Sequence, residues 1–311
     1  DADGATSCAL AIRGLTAMGA RDVIYVVPNR FEHGYGLSPE IVDIALDYNP
    51  DLIITVDNGI SSICGVKHAK RNGVKVLITD HHLPGRELPN ADVIINPQLV
   101  DDRFPSKNLA GVGVIFYILL ALRAKLKEKD WFENNNISYP NLANFLDLVA
   151  LGTIADLVPL DKNNRTMVAH GLKLIRNNKS KPGINALLIQ AGRQLSKLTS
   201  SDLSFVVAPR LNAAGRLTDM SLGIECLLAD DEDNAIEIAQ KLNRLNIERR
   251  KIQDDMQEEA LAELEKYLQT TSGKIPHSIC IYNKDWHQGV VGILASKIKE
   301  KFNRPVIVFA K

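Results

Sequence analysis

The feature that most constrains this chain is an alternation in its first hundred residues, where short β-branched runs are separated by segments with helical spacing. The runs occupy residues 23–27, 52–56, 74–79 and 93–95, and helical periodicity fills 38–48 and 60–72, the second closed by Gly73 as a C-cap. Runs this short and apolar read as strands of a parallel sheet, and the segments between them as crossover helices. The expectation is an α/β fold with a doubly wound parallel-sheet domain.

From residue 109 to 189 the pattern turns helical, most clearly over 110–126, 141–151 and 165–177, as expected of a helical layer completing the first domain. Residues 230–268 then read as one helix about 58 Å long at 1.5 Å per residue. Its apolar positions include Ile238, Leu242, Leu245, Ile252, Met256, Leu264 and Leu268. Glu248, Arg249, Arg250 and Lys251 interrupt that seam, so the helix reads as a strut between domains, with the charged stretch as a solvated face. The remainder opens with Gly273 and Pro276 and carries strand-like runs at 278–282 and 305–309 around a helix. It reads as a second, smaller α/β domain, cut short. The expected division is therefore 1–229, a connecting helix over 230–271, and 272–311.

Composition removes several classes of function. With 37 basic and 37 acidic residues the formal net charge is zero, so any nucleic-acid contact must be local and cannot rest on bulk charge. Cys8, Cys64, Cys226 and Cys280 lie far apart without a CxxC pair, a pattern that suggests neither a disulfide framework nor a thiolate zinc site and fits a reducing cytoplasm. The longest apolar stretch, residues 112–122, falls short of the roughly 18 residues of a membrane span. No signal peptide opens the chain, and position 1 falls inside a motif, so the natural N-terminus is expected upstream.

Polar clusters follow the strand runs, and open parallel sheets place their ligand crevice at such strand ends. Asp57-Asn58-Gly59 follows the run at 52–56, Asp80-His81-His82 follows 74–79, and Asp1-Ala2-Asp3-Gly4 opens the chain where a preceding strand would end. Asp156 is the single carboxylate of an otherwise apolar segment, 151–159. An unpaired buried carboxylate costs several kcal/mol, so it calls for a cation, and no Lys or Arg lies near it in sequence. Each cluster taken alone is an ordinary turn or cap. Jointly, Asp1, Asp3, Asp57, His81, His82 and Asp156 are enough to ligate two divalent ions. Mostly oxygen ligands favour Mn2+ or Mg2+ over zinc, and Asp80 is cast as a group that orients a neighbouring histidine.

These ordered strings, from Asp1-Ala2-Asp3-Gly4 through Val56-Asp57-Asn58-Gly59 and Thr79-Asp80-His81-His82 to Gly152-Thr153-Ile154-Ala155-Asp156, resemble the four motifs of the DHH phosphoesterase family. Further strings are similar to the single-stranded-DNA exonucleases of that family: Arg30 to Leu37, Leu109-Ala110-Gly111-Val112-Gly113, the segment from Pro209 to Arg216, and the segment from Trp286 to Gly292. The resemblance implies a DHH catalytic domain at 1–229 and the incomplete start of a DHHA1-type substrate-binding domain at 272–311, with a groove. It also implies that Asp1, Asp3, Asp57, Asp156 and His81 hold the two ions, with His82 beside the scissile phosphate or a metal. In the family a further acid normally precedes the first motif, and the second domain continues into a Gly-rich, Arg-containing segment that binds the nucleotide end. Both lie outside this sequence.

The expected reaction is in-line hydrolysis of single-stranded DNA from the 5′ end, in repair and recombination, with His82 and Asp80 as the catalytic pair. Arg210, Asn212 and Arg216 are the expected substrate contacts, two guanidinium forks separated by small residues. Trp286 is expected in a core more than on a base. The implied partners are single-stranded DNA and a helicase or single-strand-binding protein, with the chain a monomer and no membrane. Two rivals stand beside this reading: a DHH hydrolase of nanoRNA or cyclic dinucleotides, and a catalytically silent DNA-binding scaffold.

Overall fold

The computed structural model describes residues 1–29, 31–270 and 275–311. Arg30 of the resemblance strings, and Thr271 and Gly273 at the expected second boundary, lie outside the described residues. The chain opens with α1 (Ala2–Ala17), in which nine residues are buried, most of them small. A helix enclosed on most sides has no polar stripe, which is why periodicity gave no sign of it.

The sheet region follows in order: α2 (Pro39–Leu46), β1 (Leu52–Val56), α3 (Ile63–Arg71), β2 (Lys75–Thr79) and β3 (Val93–Ile95). Ser38 accepts from the Ile41 N–H at the start of α2, and Pro39 occupies its first turn. The three strands are parallel in the order β1-β2-β3, with Leu52 beside Lys75 and Leu77 beside Val93. The expected strand at 23–27 is not formed. That segment is extended, and Tyr25 and Val27 pack on the main core while Val26 packs on the sheet's own cluster. Its β-branched pattern specifies an extended backbone, but a strand also needs a hydrogen-bonded neighbour, and 23–27 pairs with none of the described strands.

The helical layer comprises α4 (Gly111–Glu128), α5 (Trp131–Asn134), α6 (Leu146–Ala155), α7 (Lys162–Arg176), α8 (Pro182–Gln190), α9 (Ser200–Asp202), α10 (Ala208–Leu217) and α11 (Ser221–Leu228). A π-helical turn, Leu203–Val207, leads into α10. α1 packs against α4, α6 and α11. In α6 every residue from Leu146 to Ile154 is buried, so this helix runs through the centre of the largest hydrophobic cluster.

α12 (Glu232–Thr270) spans 39 residues. Its first half packs on α8, α10 and α11 through Ala235, Ile238, Ala239 and Leu242. Its second half joins β4 (Ile279–Tyr282), α13 (Val291–Phe302) and β5 (Val306–Phe309) in a separate cluster, where β4 and β5 are parallel. Trp286 is buried in that cluster and donates its Nε1–H to Glu259 at 2.8 Å. At the charged interruption of the seam Glu248, Arg250 and Lys251 are exposed, as a solvated face requires, while half-buried Arg249 turns inward and donates to the buried Asn246 and Gln253 at 2.8 Å each. Among the described residues no helix is long and apolar enough to cross a membrane.

Candidate metal centre

All three strands of the larger sheet end at one rim, and each end is built to aim a side chain. Beyond β1, Asp57 takes φ +59°, a left-handed conformation that Asp tolerates better than most residues. The turn is locked by the Thr55 hydroxyl donating to Asn58 O at 2.7 Å and by Asn58 Nδ2 donating to Val56 O at 2.8 Å. Gly59 completes it at φ +113°, where a Cβ would lie 2.5 Å from Thr55 Oγ1.

Beyond β2, the buried Asp80 carboxylate accepts from the N–H groups of Ile60 at 2.9 Å, His81 at 2.7 Å and His82 at 3.1 Å, and it bonds His82 Nδ1 at 2.7 Å. Burial alone would raise its pKa, but these hydrogen bonds outweigh that and hold it below its ordinary value. The same bond to Asp80 raises the pKa of His82, whose side chain is 57% exposed. Beyond β3, buried Asn96 donates to His82 O at 2.8 Å. Sequence reasoning did not find Asn96; its one signal is its place directly after a strand.

The remaining acids come from helix ends. Asp1 caps α1 by accepting from Gly4 N at 3.1 Å. Asp3 is buried, and its two oxygens accept from Gly111 N at 2.6 Å and Val112 N at 3.0 Å, the free donors at the N-terminus of α4. Asp156 ends α6 and is followed by Leu157 at φ +61°, an uncommon conformation for a large side chain.

These elements converge on one imidazole. His81 Nε2 lies 3.0 Å from Asp57 Oδ1, 3.6 Å from Asp156 Oδ2 and 3.8 Å from Asp3 Oδ2. Two overlapping donor sets result, Asp57 with His81 and His82, and Asp3 with His81 and Asp156, each with its ligand atoms within 4.8 Å of one another. Asp1 lies at the rim of the same cavity but in neither set. A Cβ on Gly4 would lie 3.3 Å from Asp57 Oδ2 and 3.8 Å from Asp1 Oδ1, so the two acids flank that glycine.

Burial, reinforced by the charges of Asp57 and Asp156, holds the Asp3 carboxyl well above its ordinary value. Asp156 is raised by burial and Asp57, with His81 opposing. Burial would lower His81, but its hydrogen bond to Asp57 and the charges of Asp57, Asp3 and Asp156 prevail and push it up to about 9. Without an ion, protons supply the positive charge that this ring of carboxylates demands. Donors that are mostly oxygen, with imidazole in the minority, suit magnesium or manganese.

A cavity of about 710 Å³ opens beside the rim, and Asp1, Asp57, Asp80, His82 and Arg216 line it. Arg216 also donates to Gly289 O at 3.2 Å, across to the second cluster's part of the chain. Arg210 is directed to α12, donating to Asn243 Oδ1 at 3.0 Å and to Val206 O at 2.7 Å. Asn212 accepts from Ala2 N at 2.8 Å and so ties α10 to the first turn of α1. Two glycines that the motif reading left without a role allow the close packing. A Cβ on Gly111 would lie 2.6 Å from Asp57 Cβ, and one on Gly152 would lie 2.2 Å from Thr6 Oγ1 and 2.7 Å from Asp3 Oδ1.

Comparison with known proteins gives the family in which this centre is found. The sequence profile of the DHH family, N-terminal domain, matches residues 1–153, which contain α1, the three-stranded sheet and most of α6. The single-stranded-DNA-specific exonuclease RecJ of Salmonella typhimurium is 57% identical over 310 residues, covering 100% of this chain and 54% of that protein. Its counterpart in Bacillus subtilis is 36% identical over 308 residues, covering 99% of this chain and 36% of that protein. The crystal structure of an exonuclease RecJ bound to manganese matches with a TM-score of 0.83 at 35% identity, over 100% of this chain and 73% of that one. The chain belongs to the RecJ group of the DHH family. It spans about half the length of the first of these relatives, 54%.

Proposed function

We propose that the chain is the core of a divalent-metal-dependent phosphodiesterase that removes nucleotides from single-stranded DNA in the 5′-to-3′ direction, in repair and recombination in the cytoplasm. The observation that carries this reading is the pair of donor sets sharing His81, of which Asp57 and His82 line a cavity together with Arg216. Relatives named as single-stranded-DNA-specific exonucleases, and a RecJ structure with manganese, support the substrate and the ion.

In this reading Asp3, Asp57, His81 and Asp156 hold two Mn2+ or Mg2+ ions, with Asp1 completing the set from the rim. When bound, the ions supply charge neutralisation at the phosphate and acidify water. The residues do the rest. Asp80 fixes the ring of His82 through Nδ1, leaving Nε2 to meet a phosphate oxygen or to give a proton to the departing oxygen. Arg216, which lines the same cavity, contributes a fork of donors. Asn212 acts from behind by holding Ala2, and hence Asp1 and Asp3, in register with α10. We keep the division of 1–229 catalytic, 230–271 connecting and 272–311 bearing on the substrate; the passage of α12 from the largest cluster, through Leu242, to a separate one, from Met256, supports its connecting role. A substrate lacking base pairs must be supplied from duplex, which implies a helicase or single-strand-binding protein as partner.

The test is incubation with manganese of strands labelled separately at each end, single and duplex. Loss of nucleotides from the 5′ end of single strands, with duplex spared, is the expected result. Hydrolysis confined to di- and trinucleotides would replace this reading with the nanoRNA hydrolase, and no hydrolysis at all with the scaffold.

A further inference from the structure

Between Asp161 and Asp202 the chain carries eight lysines and arginines and no acidic residue, in a sequence whose formal net charge is zero. Most of that charge lies on α7 and the turn after it, and where α7 ends a cavity of about 270 Å³ opens. His170, Lys173 and Lys179 line it, together with buried Leu146, half-buried Leu174 and three asparagines. Among the described residues none of His170, Lys173 and Lys179 makes an ion pair within 4.0 Å. The acid nearest in sequence to the lining, Asp147, is buried and committed elsewhere, accepting from the N–H groups of Leu148 and Lys181 at 2.8 Å each.

The groups around this cavity are held by the fold. Asn178 takes φ +54°, and the turn it makes brings the Lys179 N–H back to Leu174 O at 2.9 Å. Asn185 of α8 fixes that turn, donating to Asn178 Oδ1 at 2.9 Å and accepting from the Ser180 hydroxyl. Gly171 sets α7 directly on the start of α6, since a Cβ there would lie 2.1 Å from Leu146 O. A cation in the last turn of a helix complements its dipole, which accounts for Lys173. It does not account for Lys179, which lies beyond the helix and is carried by a fixed turn to the same cavity, where no carboxylate offsets the two like charges.

An anion of high charge density would offset them. A phosphate monoester brings about −1.5 to −2 charges at neutral pH and three acceptor oxygens, matching two ammonium groups and an imidazole. The leucines offer an apolar wall for a base, and the amides of Asn144 and Asn177 offer paired donors and acceptors for its edge. The volume lies just under the lower end, about 300 Å³, of small-molecule sites, which limits the ligand to the size of a mononucleotide.

We propose that this cavity binds a phosphate monoester, which a nucleoside 5′-monophosphate supplies with a base to fill the apolar wall and free phosphate supplies alone. It lies at the Leu146 end of α6, whereas Asp156 ends the same helix about 15 Å away, so it is a second site and not part of the metal centre. It requires no hydrolysis and so stands or falls apart from the phosphodiesterase reading.

The test is titration calorimetry of the whole chain in chelator with deoxyadenosine monophosphate, inorganic phosphate and deoxyadenosine. The monophosphate should bind, and Lys173→Glu and Lys179→Glu, both at exposed positions, should each weaken its Kd at least about tenfold, whereas Asp57→Asn in the metal centre should leave it unmoved. Lys179 lies outside the helix, so its variant decides the matter if Lys173→Glu melts early. Phosphate bound more weakly than the monophosphate supports the nucleotide as the source, and phosphate bound equally supports the bare anion. The site is overturned if neither binds, if Lys179→Glu binds both as the wild type does, if Asp57→Asn alone abolishes binding, or if deoxyadenosine binds as tightly as its monophosphate. An Asp/Glu-rich peptide whose binding is lost in Lys179→Glu while that of the monophosphate is kept would assign this surface to a protein partner and overturn the phosphate site.

Discussion

Replacing Gly152 by alanine probes how tightly the two helices that carry Asp3 and Asp156 are packed. A methyl group there would stand 2.2 Å from Thr6 Oγ1, 2.7 Å from Asp3 Oδ1 and 2.7 Å from Val112 Cγ1. The first distance is more than about 1 Å inside ordinary separation. None of the three neighbours can swing away, because Thr6 and Asp3 are buried on α1 and Val112 is buried at the start of α4. Relief therefore requires α6 to retreat by about 1 Å, at an overpacking cost of about 1–3 kcal/mol. Asp156 sits at the end of the same helix, so the retreat carries its carboxylate away from the 3.6 Å approach to His81.

A shift of about 1 Å is large beside the tolerance of about 0.2 Å for ligand distances. The expected outcome is a Tm lower by roughly 2–10 °C and a manganese affinity weaker by at least about tenfold, read by thermal melting and titration calorimetry. Gly292→Ala is the control. No atom lies within 4 Å of a Cβ there, the site is in the first turn of α13, and alanine should leave stability equal or raise it by about 0.5–1 kcal/mol. If Gly152→Ala melted and bound manganese as the wild type does, the position of α6 would not set the position of Asp156, and the packing argument would fail.

Two further outcomes follow from the electrostatics. Asp57→Asn removes a charge that raises both Asp3 and Asp156 but also the main partner that raises His81, so in ion-free protein the loss of stability between pH 6.5 and 9 should shrink, while manganese-dependent hydrolysis falls by about two orders of magnitude or more; a pH dependence of melting identical to the wild type would contradict the pairing. His81 is raised from an ordinary 6.5 to about 9, so in ion-free protein its contribution is full below 6.5 and is lost as pH rises through 9, a fall of about 3 kcal/mol at most. Manganese binding displaces that proton and should strengthen by up to about tenfold per pH unit across the same window, and a Kd that is flat from pH 7 to 8.5 would show that His81 is not a ligand.

How much of this was legible in the sequence depends on how local each cause is. The three strands of the sheet were readable because β-branched runs bounded by turn residues specify themselves, and β1 lies where its run lies, Leu52–Val56. The run at 23–27 carries the same local signal, yet it stays unpaired because pairing is decided by a neighbour and not by the run. α1 was invisible for the opposite reason: its burial on several sides comes from α4, α6 and α11, and no pattern within Ala2–Ala17 records them. Among the candidate ligands, Asp57, Asp80, His81 and His82 announce themselves by following strands. The supports that aim them do not, since Asn96, Gly111 and Gly152 act on residues distant in sequence.

That division has a physical consequence for the centre itself. Asp3, Asp57 and Asp156 around one imidazole would repel one another apart if nothing held them, and the holding groups are backbone donors and tight turns: the N-terminus of α4 for Asp3 and the Asn58-Gly59 turn for Asp57. These supports are rigid and cost nothing to form once the sheet and helices are in place, so the acids cannot relax far from one another when the ion leaves. Burial and the remaining repulsion then appear as raised pKa values at Asp3 and Asp156, and the pull of the same carboxylates as the raised pKa of His81. An ion present at a hundred times its Kd would add about 2.7 kcal/mol to stability by mass action alone, so a centre that holds its acids this close would make a bound ion part of what keeps the domain folded.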